Sequence, residues 1–104
     1  MKQIFIDKFL VPQIAKEEFR ERMTINRNFI KTLAGFAEDA AYERTDEDGN
    51  LICVTIAVWE NENVLKEAKD AVQEEYKRQG FNMPEMLERL HITIDRGIYT
   101  KMEN

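Results

Sequence analysis

Residues 51–60 form the most continuous apolar stretch of the chain. Side chains alternate between the two faces of a strand, so the stretch divides into two sets. One set is Ile52, Val54, Ile56 and Val58, and the other is Leu51, Cys53, Thr55, Ala57 and Trp59. Both sets are apolar or small, which leaves neither face suited to water. The pattern therefore predicts a central strand that is covered on both sides.

Three further segments, residues 3–11, 36–45 and 91–99, have the composition and alternation of strands. The first is mostly apolar on both faces and is predicted to be central as well. The second is more polar, which suits the edge of a sheet. Between it and residues 51–60 lies Asp-Glu-Asp-Gly-Asn, a sequence typical of a hairpin turn.

Two longer segments show the helical period. Pro12 suits the first turn of a helix that runs to about Leu33. The second long helix is predicted for residues 62–79, with Asn61 as its cap, and a short third helix starts at residues 82–85.

The predicted order is β-α-β-β-α-(α)-β, an α+β ferredoxin-like fold with a four-stranded antiparallel sheet. It forms one domain, residues 1–104, with its core at about 2–99 and a short tail at 100–104. Two long helices can cover only one sheet face, so the other would expose apolar side chains. We expect the sheet of an identical subunit to cover it, as in a dimeric α/β barrel. The alternative is a monomer with an apolar face.

Composition restricts the partners. The net charge is −5 and the 15 basic residues are dispersed, so neither nucleic acid nor an anionic membrane is an expected partner. The chain has no signal-peptide pattern, no apolar run near ~20 residues and one cysteine, and we expect a cytoplasmic protein. One histidine and one cysteine offer no ligand spacing of the usual zinc type, so no metal site is expected.

Asn26 interrupts the apolar stripe of the first helix, among Phe19, Met23 and Ile30. A buried amide needs hydrogen-bond partners. It could orient a substrate carbonyl or an oxyanion, or it could bond to polar groups of the sheet or helix.

Asp7 shares its strand face with Phe5 and Phe9. A carboxylate withdrawn from water there suits a general base. The alternative, which we favour on sequence grounds, is an ion pair with an arginine such as Arg96 or Arg27.

Three other side chains are candidates for ligand contact. Trp59 could stack on a planar ligand, although core or dimer packing is the more common role. Tyr76 could present its hydroxyl to a ligand or fill the core. His91, placed at the start of the last strand, could shuttle protons or be an ordinary surface residue.

The chain contains the segments Leu33-Ala34-Gly35-Phe36 and Val54-Thr55-Ile56-Ala57-Val58-Trp59-Glu60, with the hairpin between them and the second helix after them. Together these features resemble the antibiotic biosynthesis monooxygenase domain family. The resemblance extends over about residues 2–99 and implies the dimeric α/β-barrel fold. Reactions vary widely within the family, so the resemblance is more specific for fold than for reaction.

One branch of the family degrades haem, and its three key positions can be compared with this chain. The branch carries an asparagine on the first strand, a tryptophan on the second helix and a histidine ligand later on that helix. The corresponding places hold Asp7, Ala68 and residues 76–78, Tyr-Lys-Arg. None of these three positions matches the branch, and residues 76–78 contain no histidine. Because a haem iron needs an axial donor, haem degradation is not expected.

The resemblance implies a monooxygenase that needs no cofactor and oxidises a small aromatic or quinol substrate with O2. Asp7 or His91 is the predicted base and Asn26 the oxyanion partner. The predicted substrate pocket lies between sheet and helices and is lined by Phe9, Phe19, Met23, Asn26, Tyr76 and, as a further candidate, Trp59. The alternatives are a non-catalytic ligand-binding or stress-associated dimer, and an isomerase of a phosphorylated metabolite. The latter needs a cationic pocket, for which Arg22, Arg27 and Arg96 are the available donors.

Overall fold

The computed structural model describes residues 1–103, which form four strands and three α-helices. A single turn of 3₁₀ helix, Gln13–Ala15, precedes the first α-helix. The elements are β1 (Gln3–Val11), α1 (Lys16–Ile30), β2 (Phe36–Thr45), β3 (Leu51–Trp59), α2 (Glu62–Gln79), α3 (Met83–Arg89) and β4 (Thr93–Tyr99).

The sheet has the strand order β2-β3-β1-β4, and every neighbouring pair is antiparallel. The two strands that are apolar on both faces, β1 and β3, are therefore the central ones. The predicted α+β ferredoxin-like fold is confirmed.

A capping residue and a glycine determine how the chain enters α2 and leaves α1. Asn61 caps α2 by accepting a hydrogen bond from the Val64 backbone N–H at 3.0 Å. Gly35, with φ of +81°, lets the chain turn from α1 into β2. A Cβ at Gly35 would lie only 2.4 Å from the Cβ of Val64, so glycine also permits the close approach to α2.

Three predicted boundaries are corrected. The first α-helix begins at Lys16, because residues 13–15 form the separate 3₁₀ turn that follows Pro12. The α1 helix ends at Ile30 because Thr32 and Leu33 donate to carbonyls three residues back, which tightens the chain into turns. The last strand starts at Thr93, so His91 is not a strand residue. His91 has φ of +56° and follows α3, and Ile92 N–H donates back to the Leu87 carbonyl at 2.8 Å. This Schellman-type helix end includes His91 and Ile92, which the alternation of apolar and polar residues assigns to the last strand.

The helices cover one face of the sheet. On that side lie two apolar clusters, one around Phe9, Phe19 and Leu51 and the other around Trp59 and Leu65. The opposite face, here called the open face, carries mainly aliphatic side chains of the central strands and an exposed Tyr42. The open-face side chains of β1 and β3 are Ile4, Ile6, Lys8, Leu10, Ile52, Val54, Ile56 and Val58.

Among the helices of residues 1–103, none combines the length and the hydropathy that crossing a membrane requires.

Candidate functional site

A cavity of about 750 Å³ lies between the helix-covered face of the sheet and the helices. This volume is within the range of small-molecule sites, roughly 300–1,000 Å³. Five of the eight residues predicted as base, oxyanion partner or pocket lining are found there, namely Asp7, Phe9, Met23, Asn26 and Tyr76. The two polar candidates, Asp7 from β1 and Asn26 from α1, therefore open into the same space.

Asn26 is buried, with 3% of its surface exposed. Its Oδ1 accepts a hydrogen bond from Arg22 Nε at 3.0 Å. Its Nδ2 is buried and has no hydrogen-bond partner among residues 1–103. Buried polar atoms are usually bonded, so this nitrogen is an unsatisfied donor on a residue that lines the cavity.

Asp7 pairs with Arg96 of the neighbouring strand β4, its register partner. Arg96 Nε donates to Oδ1 at 2.8 Å and Nη2 donates to Oδ2 at 3.0 Å. This bidentate geometry is the strong form of an arginine–carboxylate pair. The expected pairing of Asp7 with an arginine is formed, and the partner is Arg96 rather than Arg27.

A second ion pair lines the cavity on the β2 side. Arg27 of α1 donates to Asp39 Oδ2 from Nε at 3.0 Å and from Nη2 at 2.5 Å. Both cavity arginines are therefore neutralised by aspartates. For the isomerase alternative, which needs a cationic pocket, these two arginines therefore supply no uncompensated charge, and Lys69 is the further basic residue of the lining.

Lys69 also lines the cavity, and its Nζ lies 5.6 Å from the centre of the Phe5 ring. It makes no ion pair with any residue in the range 1–103. Lys69 is not among the residues predicted for the site from the sequence. Its position four residues after Leu65 and three before Val72, on the inward stripe of α2, is the signal that could have identified it.

Tyr76 contributes a half-buried ring from α2. Burial raises the pKa of its phenol, while the guanidinium groups of Arg22 and Arg96 act in the opposite direction. The hydroxyl therefore stays protonated near neutral pH and can donate a hydrogen bond.

The remaining candidates lie outside the cavity lining. Phe19 is 1% exposed and packs edge-on against Phe9, with ring centres 5.0 Å apart. Trp59 is 3% exposed and packs in the same manner on Phe36. His91 is exposed in the turn after α3.

Residues 1–103 contain no group of three or more histidine, cysteine, aspartate or glutamate side chains arranged to hold a metal ion. Cys53 is a buried free thiol on the helix-covered side. Burial raises its pKa, and Glu43 adds to the effect.

No protein-family model and no curated protein matches the chain. Solved structures share its fold over nearly the whole length. SnoaB from Streptomyces nogalater, described as a cofactor-independent oxygenase, is 22% identical with a TM-score of 0.72, over 99% of this chain and 95% of that one. A candidate monooxygenase from Shewanella loihica is 17% identical with a TM-score of 0.71, over 99% and 96% of the two chains.

A third similar structure is a dimeric ferredoxin-like protein from an uncultured marine organism. It is 9% identical, with a TM-score of 0.66, over 98% of each chain. At these identities the likeness establishes a shared fold. The chemistry has to be argued from the residues of the cavity.

Proposed function

We propose that this chain is a small homodimeric oxygenase of the antibiotic biosynthesis monooxygenase type, which oxidises a planar aromatic or quinol substrate with O2 and needs no cofactor. The observation that carries the proposal is the unpartnered amide nitrogen of Asn26, buried beside an apolar cavity. The shared fold with SnoaB, described as a cofactor-independent oxygenase, supports the reaction type.

The walls of the cavity suit a flat, apolar substrate. Phe5 and Phe9 lie on the floor formed by β1, Met23 on α1, and Leu87 on α3. Aromatic and aliphatic side chains of this kind bury a substrate ring, while a few polar groups fix its orientation.

The polar groups are placed for ionisation of the substrate. Asp7 is the proposed proton acceptor, and Asn26 Nδ2 donates to the oxygen on which negative charge develops. Preorganised donors of this kind stabilise an oxyanion in a site shielded from water. The carbanion form of the substrate then reduces O2 directly. One oxygen atom enters the substrate as a carbonyl, and the other leaves as water.

The open face supports the homodimer. Ile6 and Ile56 are register partners at its centre, with further aliphatic residues along both strands. A continuous apolar surface of this type on a small soluble chain is typical of an interface. The dimeric ferredoxin-like neighbour provides a precedent for the fold.

Oxygen consumption with a panel of quinols and anthrones tests the proposal. We expect at least one substrate to react faster than in buffer, and Asn26→Ala to lower the rate by about 100-fold, the usual effect of losing an oxyanion donor. Asp7→Asn should lower the rate by a similar factor through loss of the base. Asn28→Ala is the matched control, because Asn28 is exposed on the same helix.

The proposal fails if no member of the panel reacts above the buffer rate. It also fails if Asn26→Ala and Asn28→Ala have equal activity.

One observation favours a second candidate, a ligand-binding dimer without catalysis. Both carboxylate oxygens of Asp7 already accept hydrogen bonds from Arg96, which opposes its use as a base. This candidate predicts saturable binding of hydrophobic aromatics to the cavity and no oxygen consumption with any of them.

A further inference from the structure

We infer that Arg22 is a positioning residue, which holds the side-chain amide of Asn26 so that the amide N–H donors point towards the cavity. This end of the cavity then accepts a ligand oxygen that carries no proton, such as that of a phenolate or a carbonyl. The inference rests on the proposed function for the location of the ligand. Arg22 lies outside the cavity lining, and its contact with Asn26 determines which chemical class of ligand oxygen the cavity binds.

The orientation of the amide follows from donor and acceptor chemistry. A guanidinium group has only donors, so the Asn26 atom that meets Arg22 Nε at 3.0 Å must be the carbonyl oxygen. The two residues are four apart on α1, a spacing that places their side chains together. Asn26 lines the cavity and its oxygen is turned to Arg22, which leaves Nδ2 for the cavity.

Arg22 is itself held in place from α2. Its guanidinium carbon lies 3.6 Å from the centre of the Phe81 ring and 5.6 Å from that of Tyr76. Its Nη2 also donates to Gln79 Oε1. Stacking and hydrogen bonding together restrict a side chain that would otherwise sample many rotamers.

The end of α2 explains why Phe81 is available for this contact. Gly80 adopts φ of +67°, and Phe81 N–H donates to the Tyr76 carbonyl at 2.8 Å. This is a Schellman motif, in which the residue after the glycine packs back on the last helical turn. The Phe81 and Tyr76 rings meet edge to face at 5.1 Å, and Arg22 lies over both.

The Arg22–Asn26 contact determines whether the cavity prefers a protonated or an unprotonated ligand oxygen. An amide that is free to rotate could present either its oxygen or its nitrogen to a ligand. With Arg22 in place it presents only the nitrogen. The site then stabilises an ionised hydroxyl relative to a neutral one, the preference that ionisation of a quinol requires.

The probe for this preference is 4-nitrophenol, whose absorbance distinguishes phenolate from phenol. We expect the wild-type protein to lower the pKa of the bound dye. Arg22→Met should reduce the phenolate preference about tenfold, the size expected for one hydrogen bond to a charged group. Arg22→Lys should restore part of it, since an ammonium group, like the guanidinium group, has only hydrogen-bond donors.

A second variant tests the orientation while keeping Arg22. Asn26→Asp retains an oxygen for Arg22 but presents an oxygen to the cavity instead of a nitrogen. We expect it to reverse the preference, so that the pKa of the bound dye rises. This test does not depend on whether Arg22→Met folds, which circular dichroism checks for every variant.

The inference is overturned if Arg22→Met binds the dye with the wild-type pKa, if Arg22→Lys behaves as Arg22→Met, or if Asn26→Asp still prefers phenolate. Turnover of a quinol without any Arg22 dependence of the dye pKa rejects the inference alone. The expected pattern of dye pKa values without turnover rejects the oxygenase alone. Failure of the wild-type protein to bind the dye at millimolar concentration rejects the inference, whereas the quinol and anthrone panel decides the oxygenase.

Discussion

Beneath the helices, β1 presents Asp7 between Phe5 and Phe9, whereas its opposite face presents Ile4, Ile6 and Leu10. The same strand therefore serves two surfaces with different chemistry. On the helix-covered side, two aspartates pair with arginines around a cavity. On the open face, the centre is aliphatic.

The difference indicates how the fold separates two tasks. A cavity with a few oriented polar groups can bind and activate a small molecule, because its hydrogen bonds are shielded from water. A flat aliphatic surface offers area for association but few directional contacts. Changes on the two faces should therefore alter different measurements.

The largest effect is expected at the centre of the open face. Ile6→Arg places a charge where the proposed dimer has two sheets in contact, and burying it without a partner costs several kcal/mol. We expect association to weaken by about 1,000-fold or more, to a monomer at micromolar concentration in sedimentation or light scattering. Thr100→Arg, which introduces the same charge at an exposed position after β4, should remain dimeric.

A wild-type chain that is monomeric at every concentration, or an Ile6→Arg chain that dimerises normally, would contradict the assignment of the open face.

The next effect compares the paired charges of the helix-covered face with an exposed charge on the outside of α2. Arg96→Met leaves the buried Asp7 without its partner, and we expect a loss of about 2 kcal/mol in the free energy of unfolding. This lies below the range for fully buried pairs because the Arg96 side chain is 48% exposed. Lys66→Met, which removes a positive charge at an exposed position of α2, should change stability by less than about 0.5 kcal/mol.

Urea unfolding at one fixed protein concentration measures both variants. Equal losses of unfolding free energy would show that the Asp7–Arg96 pair stabilises the fold no more than an exposed charge does.

The smallest effect concerns Cys53. Burial raises the pKa of this thiol, so its thiolate fraction near roughly pH 8 lies below that of a free cysteine. We expect alkylation at least about tenfold slower than for a cysteine introduced by Thr100→Cys in a Cys53→Ser background, with the rate rising at higher pH than in that control. Equal rates and pH profiles would contradict the burial of the helix-covered face.

Much of the fold was accessible from the sequence because the alternation of β1 and β3 is unambiguous. Two apolar faces on both strands placed them at the centre of the sheet. The start of β4 was missed because His91 closes α3 in a left-handed conformation, a role that alternation cannot detect in a non-glycine residue.

The site was accessible only in part. Asp7 and Asn26 stood out as polar residues on apolar faces, but the partner of Asp7 depends on the register of β1 with β4. Whether Phe19 and Trp59 face the cavity or the packed core depends on how far each helix extends over the sheet, which local patterns do not determine. The Arg22–Asn26 contact, by contrast, follows a four-residue spacing visible in the sequence.

A structure of the protein with bound 4-nitrophenol tests the central claim most directly. We predict that the ring lies in the cavity against Phe5 and Phe9, with its phenolate oxygen about 3 Å from Asn26 Nδ2. A dye molecule on the open face, or one in the cavity with its oxygen directed away from Asn26, would contradict the claim that this cavity is the functional site.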